Sequence, residues 1–282
     1  MLLCALAGLL RPSRALNLAD VPCGQQKLSV VRQARVTGGR DAHPGQFPWS
    51  ASVQEGGVHF CMGAVVGRRY VLTAAHCFSG RPAGRFTVSV GGHRLSAAEP
   101  SRRAVPVARL LVHPQYRDGR FESDVALLRL SEPLVWSDRV QPVCLPPAGA
   151  DSGPPEDGHG QVAGWGYLAE WRDGAGGGSR PADALQWVSV PLLSRQTCQR
   201  WYAAAGRPIK VRRGKLCAGY REGGRDSCRA DSGAALTVHT AGGGAHAVGL
   251  VSAGIGCGRP GLPGLYTDVA HYTKWIAQHA VG

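Results

Sequence analysis

The chain has 282 residues, of which 44% are hydrophobic and 18% charged, and its formal net charge is +13. The hydrophobic content is enough for a full core, so a disordered chain is excluded, and no run of about 18 apolar residues occurs that would span a membrane as a helix. The 40 glycines and 19 prolines suit many short strands joined by tight turns and argue against a helical bundle.

Residues 1–10 read MLLCALAGLL, and Ser13 and Ala15 can occupy the small-residue positions of a cleavage site. Residues 1–15 are therefore expected to be a signal peptide, although its positive leading region is missing. Strand-length apolar or alternating runs follow at 49–53, 63–66, 70–74, 86–90, 105–112, 125–130, 161–165, 185–192, 247–251 and 264–269. Each is bounded by Gly, Pro or polar turn residues. One helix closes the chain: Val269, Tyr272, Thr273 and Ile276 share a face, with Asp268 available near its start. Stretches 148–160 and 169–183 read as Gly/Pro-rich loops. No βαβ spacing and no internal repeat is evident.

Nine cysteines stand at 4, 23, 61, 77, 144, 198, 217, 228 and 257. Cys4 lies in the apolar run; the other eight form an even set that suits a secreted disulfide framework. None falls in a paired zinc spacing. The positive charge predicts attraction to a polyanion such as heparin, or simply a solvated arginine surface. A nucleic-acid partner is not expected, because interleaved aromatics are missing and the cysteines suit secretion. Segment 207–215 holds five cations in nine residues; it reads as a polyanion or protein exosite, or as a solvated loop.

Three strings carry chemistry. Residues 73–77 read TAAHC, 124–128 read DVALL and 226–233 read DSCRADSG. They supply His76, Asp124 and Ser232 in that order, one of the known chain orders of a nucleophilic triad. A serine is a weak nucleophile until a base removes its proton, and the base works best when a carboxylate fixes its tautomer.

On these strings the chain, from about Val36 to its C-terminus, resembles the trypsin-like serine proteases of the chymotrypsin fold. The resemblance implies an all-β architecture of two packed six-stranded antiparallel β-barrels with a C-terminal α-helix. It implies catalytic His76, Asp124 and Ser232, with the N–H groups of Ala230 and Ser232 as the oxyanion hole. It pairs Cys61 with Cys77, Cys198 with Cys217, Cys228 with Cys257, and Cys23 with Cys144. A further bridge found in many relatives would fall at Gly160 and Val238, and both halves are missing here. Arg35 followed by VTGG resembles the family's activation site. Cleavage after Arg35 would free the Val36 ammonium to pair with the Asp231 carboxylate. The implied division is a signal peptide at 1–15, a short disulfide-linked propeptide at 16–35 and a protease domain at 36–282. Asp226, Ser252, Gly254 and Gly264 match the substrate pocket of relatives that cut after Arg or Lys; a carboxylate can accept a bidentate guanidinium. The implied partners are substrates with Arg or Lys before the cut, an activating protease and protein protease inhibitors, in an extracellular setting. No cofactor is implied. No metal is expected either, because 91–105 holds only Glu99 beside Arg94, Arg102 and Arg103.

The chain departs from the family at one place. Ala230, Ala234 and Ala235 stand where relatives read Gly, Gly and Pro, and Ala253 replaces a tryptophan beside the pocket. Alanine keeps its N–H but resists the backbone angles glycine adopts. Two readings follow: an active endopeptidase, or a catalytically weak or inactive homologue acting as a basic binding protein.

Overall fold

The computed structural model describes residues 17–26, 39–148, 158–170, 180–240 and 244–280. The expected signal peptide, Arg35 and Val36 lie outside these residues, as do parts of both Gly/Pro-rich loops.

The first barrel is built from β2 (Ser50–Glu55), β3 (Val58–Gly67), β4 (Tyr70–Thr73), β5 (Phe86–Val90), β6 (Arg103–Val112) and β7 (Ala126–Leu130). They close antiparallel in the order β2-β3-β4-β7-β6-β5. Alternation shows why β6 forms: Val105 and Val107 point inward, while Ala104, Pro106 and Ala108 face out. β4 lacks alternation because its whole run is buried. The second barrel contains β8 (His159–Gly164), β9 (Gln186–Leu193), β10 (Lys215–Ala218), β11 (Ala235–His239), β12 (Ala245–Ala253) and β13 (Gly264–Asp268), and β1 (Arg40–Asp41) extends it at β9. β8 pairs with both β9 and β11, which closes the ring. One continuous apolar core joins the barrels, with Leu72 and Leu128 from one and Val190, Leu236 and Leu250 from the other.

Two helices are present among the described residues. α2 (Val269–His279) is the expected C-terminal helix; Asp268 accepts from the Ala270 N–H at its start, and Val269, Tyr272, Thr273 and Ile276 are buried. α1 (Arg195–Ala204) has no counterpart in the sequence reading. Its sequence RQTCQRWYAA carries no broad apolar stripe, and only Cys198 and Tyr202 are buried. The Ser194 cap and the Cys198–Cys217 bridge hold it instead. β10 and β11 were also not expected; β10 has four residues and opens on a lysine.

Four disulfides join Cys23 to Cys144, Cys61 to Cys77, Cys198 to Cys217 and Cys228 to Cys257. The first ties 17–26 to the barrels. Around it the Gly24 N–H donates to the Pro142 carbonyl at 2.7 Å, and Asp20 accepts from Arg68 and Trp136 at 2.8 Å each.

Candidate active site

His76 sits in a short 3-10 turn, Ala75–Phe78, that follows β4 directly. Asp124 is fully buried, just before β7. Because β4 and β7 pair, with Thr73 opposite Ala126, the two side chains meet across adjacent strand ends. The His76 N–H donates to Asp124 Oδ1 at 2.9 Å, and Nδ1 lies 2.8 Å from Oδ2. A carboxylate can only accept, so Nδ1 carries the proton and Nε2 is left with a lone pair for the cleft. The Ser252 hydroxyl also donates to Oδ2, and the Thr267 hydroxyl donates to the Asp124 carbonyl at 2.8 Å. Burial alone would raise the Asp124 carboxyl. The hydrogen bonds and charge of His76, the Ser252 hydroxyl and the Lys215 ammonium outweigh it and hold the group below the usual carboxylate value.

Ser232 precedes Gly233, whose φ is +85°. A Cβ on Gly233 would lie 2.3 Å from the Met62 carbonyl, so only glycine lets this turn press against β3. The turn is further fixed by the Met62 N–H donating to the Ser232 carbonyl and the Gly233 N–H donating to Val251, both at 2.8 Å. His76, Ser232 and Asp226 line one cavity of about 310 Å³, together with Ser252, Ala253 and Gly254.

Asp226 accepts from the Ser227 N–H at 2.9 Å and the Gly258 N–H at 3.0 Å. Burial pushes its carboxyl up to about 7 despite these bonds. Gly264 stands beside it: a Cβ there would come within 2.9 Å of Asp226 Oδ1.

Ala230 has φ +69°. The alanine therefore adopts the left-handed backbone that suits glycine. Its carbonyl accepts from His59 Nε2 at 3.2 Å, while His59 Nδ1 lies 2.9 Å from the Ser52 hydroxyl. Burial pulls His59 down to about 4, so the ring is neutral, with Nε2–H donating and Nδ1 accepting. A left-handed L-residue is strained by about 1–2 kcal/mol. Ala230→Gly is expected to raise unfolding free energy by about 1 kcal/mol, read from urea denaturation.

Asp231, next to Ser232 in the chain, is buried and accepts from the Gly166 N–H at 2.8 Å and the Cys228 N–H at 2.9 Å. Burial lifts its carboxyl to about 6. It lines a second cavity of about 210 Å³ with Gly39, Gly164, Gly166 and Trp187. Cβ atoms on Gly164 and Gly166 would stand 2.0 Å and 2.4 Å from the Asp231 carboxyl group.

His59 and Lys215 carry contacts here that sequence reasoning missed. His59 lies in a strand of otherwise apolar tone, and only the fold brings it to Ala230, 171 positions away. Of the five cations in 207–215, four are exposed and Lys215 turns inward; the strand that turns it, β10, was not itself read from the sequence.

Residues 36–276 match the family model described as Trypsin. The chain is 40% identical over 265 residues to human Serine protease 56, covering 91% of this chain and 41% of that protein. It is 35% identical over 254 residues to Trypsin-1 of Astacus astacus, covering 87% of this chain and 100% of that one. It is 34% identical over 286 residues to Serine proteinase stubble of Drosophila melanogaster, covering 97% of this chain and 34% of that protein. The chain thus spans less than half the length of the human and fly proteins.

Proposed function

The chain belongs to the trypsin family of serine proteases, and from that premise we propose that it is a secreted endopeptidase, made as a zymogen, that cuts after Arg or Lys. The carrying observation is one cavity that holds His76, Ser232 and Asp226, with His76 bonded to buried Asp124. Ser232 Oγ attacks the peptide carbonyl while His76 Nε2 takes its proton. Asp124 holds the imidazolium in place, and the Ala230 and Ser232 N–H groups bind the oxyanion. His76 then returns the proton to the leaving amine, and water hydrolyses the acyl-enzyme.

Cleavage after Arg35 by another protease starts this activity. The new Val36 ammonium enters the cavity beside Asp231, which Gly39 already lines. Residues 1–15 are removed as a signal peptide on export, and the four disulfides fit an oxidising compartment. The segment 16–35 stays attached through Cys23–Cys144. A heparin-like polyanion on the exposed cations and protein inhibitors in the cleft are further partners of this reading.

A binding homologue on the same scaffold would keep the fold and hydrolyse little. The backbone around Ala230 supports the enzyme instead, because the Tyr167 N–H donates to the Arg229 carbonyl at 2.9 Å, and the Ala230 N–H lies on the opposite side of that same trans peptide. The test is turnover of Arg-, Lys- and Phe-ended amides by the cleaved protein, with Ser232→Ala as control. Turnover of the first two that is lost in the control is the expected result.

The pocket aspartate adds a pH signature. In the free protein Asp226 takes up a proton below about pH 7, and only its ionised form pairs with a cation. Benzamidinium affinity is therefore expected to fall about tenfold per pH unit below 7, and to be level above it. Isothermal titration from pH 5 to 8 reads this directly. Flat affinity would remove Asp226 from ligand binding.

A further inference from the structure

Lys215 opens β10 opposite Thr267 of β13. Its Nζ donates to the Ser252 hydroxyl at 2.7 Å and lies 3.4 Å from the Thr267 hydroxyl. Both hydroxyls then donate onward to Asp124, Ser252 to Oδ2 and Thr267 to the carbonyl. An ammonium has three donors and no acceptor. It therefore fixes the direction of both hydroxyls, which must spend their single protons on Asp124. Oδ2 is the oxygen that also receives His76 Nδ1. A cation thus stands one hydroxyl away from the carboxylate that steadies the histidine.

We propose that Lys215 is a positioning residue of the His76–Asp124 pair, which orients Asp124 through Ser252 and Thr267 and draws part of its charge away from the imidazole. The proposal rests on the protease reading above. A positive charge behind the carboxylate weakens the hold of Asp124 on an imidazolium of the same sign, so the base sheds its proton at lower pH.

Other charged groups lie around Lys215 among the described residues. Glu122 attracts it, but Glu122 is paired with Arg212 at 3.3 Å. Arg120, Lys210 and Arg212 line the same small cavity as Lys215. Asp268 follows Thr267 on β13 with its carboxyl raised by burial. Tyr116 and Tyr272 feel the Asp124 charge with phenols raised by burial, so both are neutral. His113 and His271 pack on the Tyr272 ring. Burial pulls the Lys215 ammonium down to about 8, against the attraction of Asp124 and Glu122. It is therefore charged at neutral pH and loses its charge within the range where such an enzyme is assayed. Above about pH 8 the carboxylate serves the imidazole alone.

The experiment is kcat/KM from pH 5 to 10 on an Arg-ended amide, for the cleaved wild type and three variants. Lys215→Met and Lys215→Gln remove the charge, and Gln keeps a donor. Lys215→Arg keeps a charge that does not titrate in this range. The acid limbs of Met and Gln are expected about one pH unit above wild type, a tenfold change in proton affinity, while Arg follows wild type. The wild type is expected to gain threefold to tenfold relative to Arg through about pH 8, over any loss as the Val36 amine deprotonates. Superimposable profiles, with only the urea midpoints changed, would overturn the proposal.

If cleaved wild type turns over no substrate, the protease reading fails by itself. The low-field proton of the His76–Asp124 hydrogen bond then decides the Lys215 question by NMR. A midpoint moved upward in any folded charge-removing variant supports it, and an unmoved midpoint overturns it. If neither Met nor Gln folds, the Arg comparison through pH 8 decides.

Discussion

Asp226→Asn is expected to lower kcat/KM for Arg- and Lys-ended amides by about 10³, while a Phe-ended amide is expected to change less than about tenfold. The asymmetry follows from what each side chain leaves behind. A guanidinium or ammonium entering the pocket loses its water, and a buried cation without its counter-charge is disfavoured by about 3–5 kcal/mol. The Ser227 and Gly258 N–H groups keep the wild-type carboxylate in place, and Gly264 leaves it uncovered. Asparagine has nearly the same shape, so the pocket stays open and only the charge is lost. A phenyl ring brings no charge to strand. The comparison needs three substrates on two proteins, and equal losses on all three would mean that Asp226 acts through the fold and not through the substrate.

On the proposed activation, cleavage after Arg35 is expected to raise activity by about 10³, and Arg35→Gln is expected to hold the chain at the uncleaved level whatever activator is added. The physical cause is the Asp231 carboxylate, which is buried with two backbone donors and raised to about 6. An ammonium in the adjoining cavity converts a disfavoured buried charge into a pair. Asp231 stands between Ala230 and Ser232, so anchoring it also anchors both N–H groups proposed as oxyanion donors. Losing one oxyanion donor costs about 10²–10³ in rate, and an unanchored loop endangers two. Gly166→Ala offers an independent check. Its Cβ would lie 2.4 Å from the Asp231 carboxyl group, so the cleaved variant should behave like the uncleaved wild type. Full activity in either Arg35→Gln or Gly166→Ala would separate activity from this cavity.

The barrels were legible wherever a strand is apolar or alternates, as at 86–90 and 105–112. β3 begins at Val58, five residues before the expected start, because its first part carries His59 and the alternation breaks there. α1 was invisible because a bridge and a cap hold it, not an apolar face. The strings around His76, Asp124 and Ser232 could be read by motif and spacing. What those strings touch could not. Lys215 reaches Ser252 across 37 positions, and Ser252 reaches Asp124 across 128. Such contacts depend on barrel register, and a sequence without relatives beside it does not reveal register. The backbone at Ala230 was likewise beyond reach: the sequence names the alanine, and only the fold shows φ +69°.

Stoichiometric labelling by a fluorophosphonate is the most direct test of Ser232 as an activated nucleophile. The chain is produced with its disulfides, cleaved after Arg35, and titrated beside Ser232→Ala. One label per cleaved molecule, blocked by benzamidine and absent from the variant, is the result this structure predicts. A folded protein with a free Val36 terminus and no label would contradict it, and the chain would then be a binding homologue whose partner is sought on its basic surface.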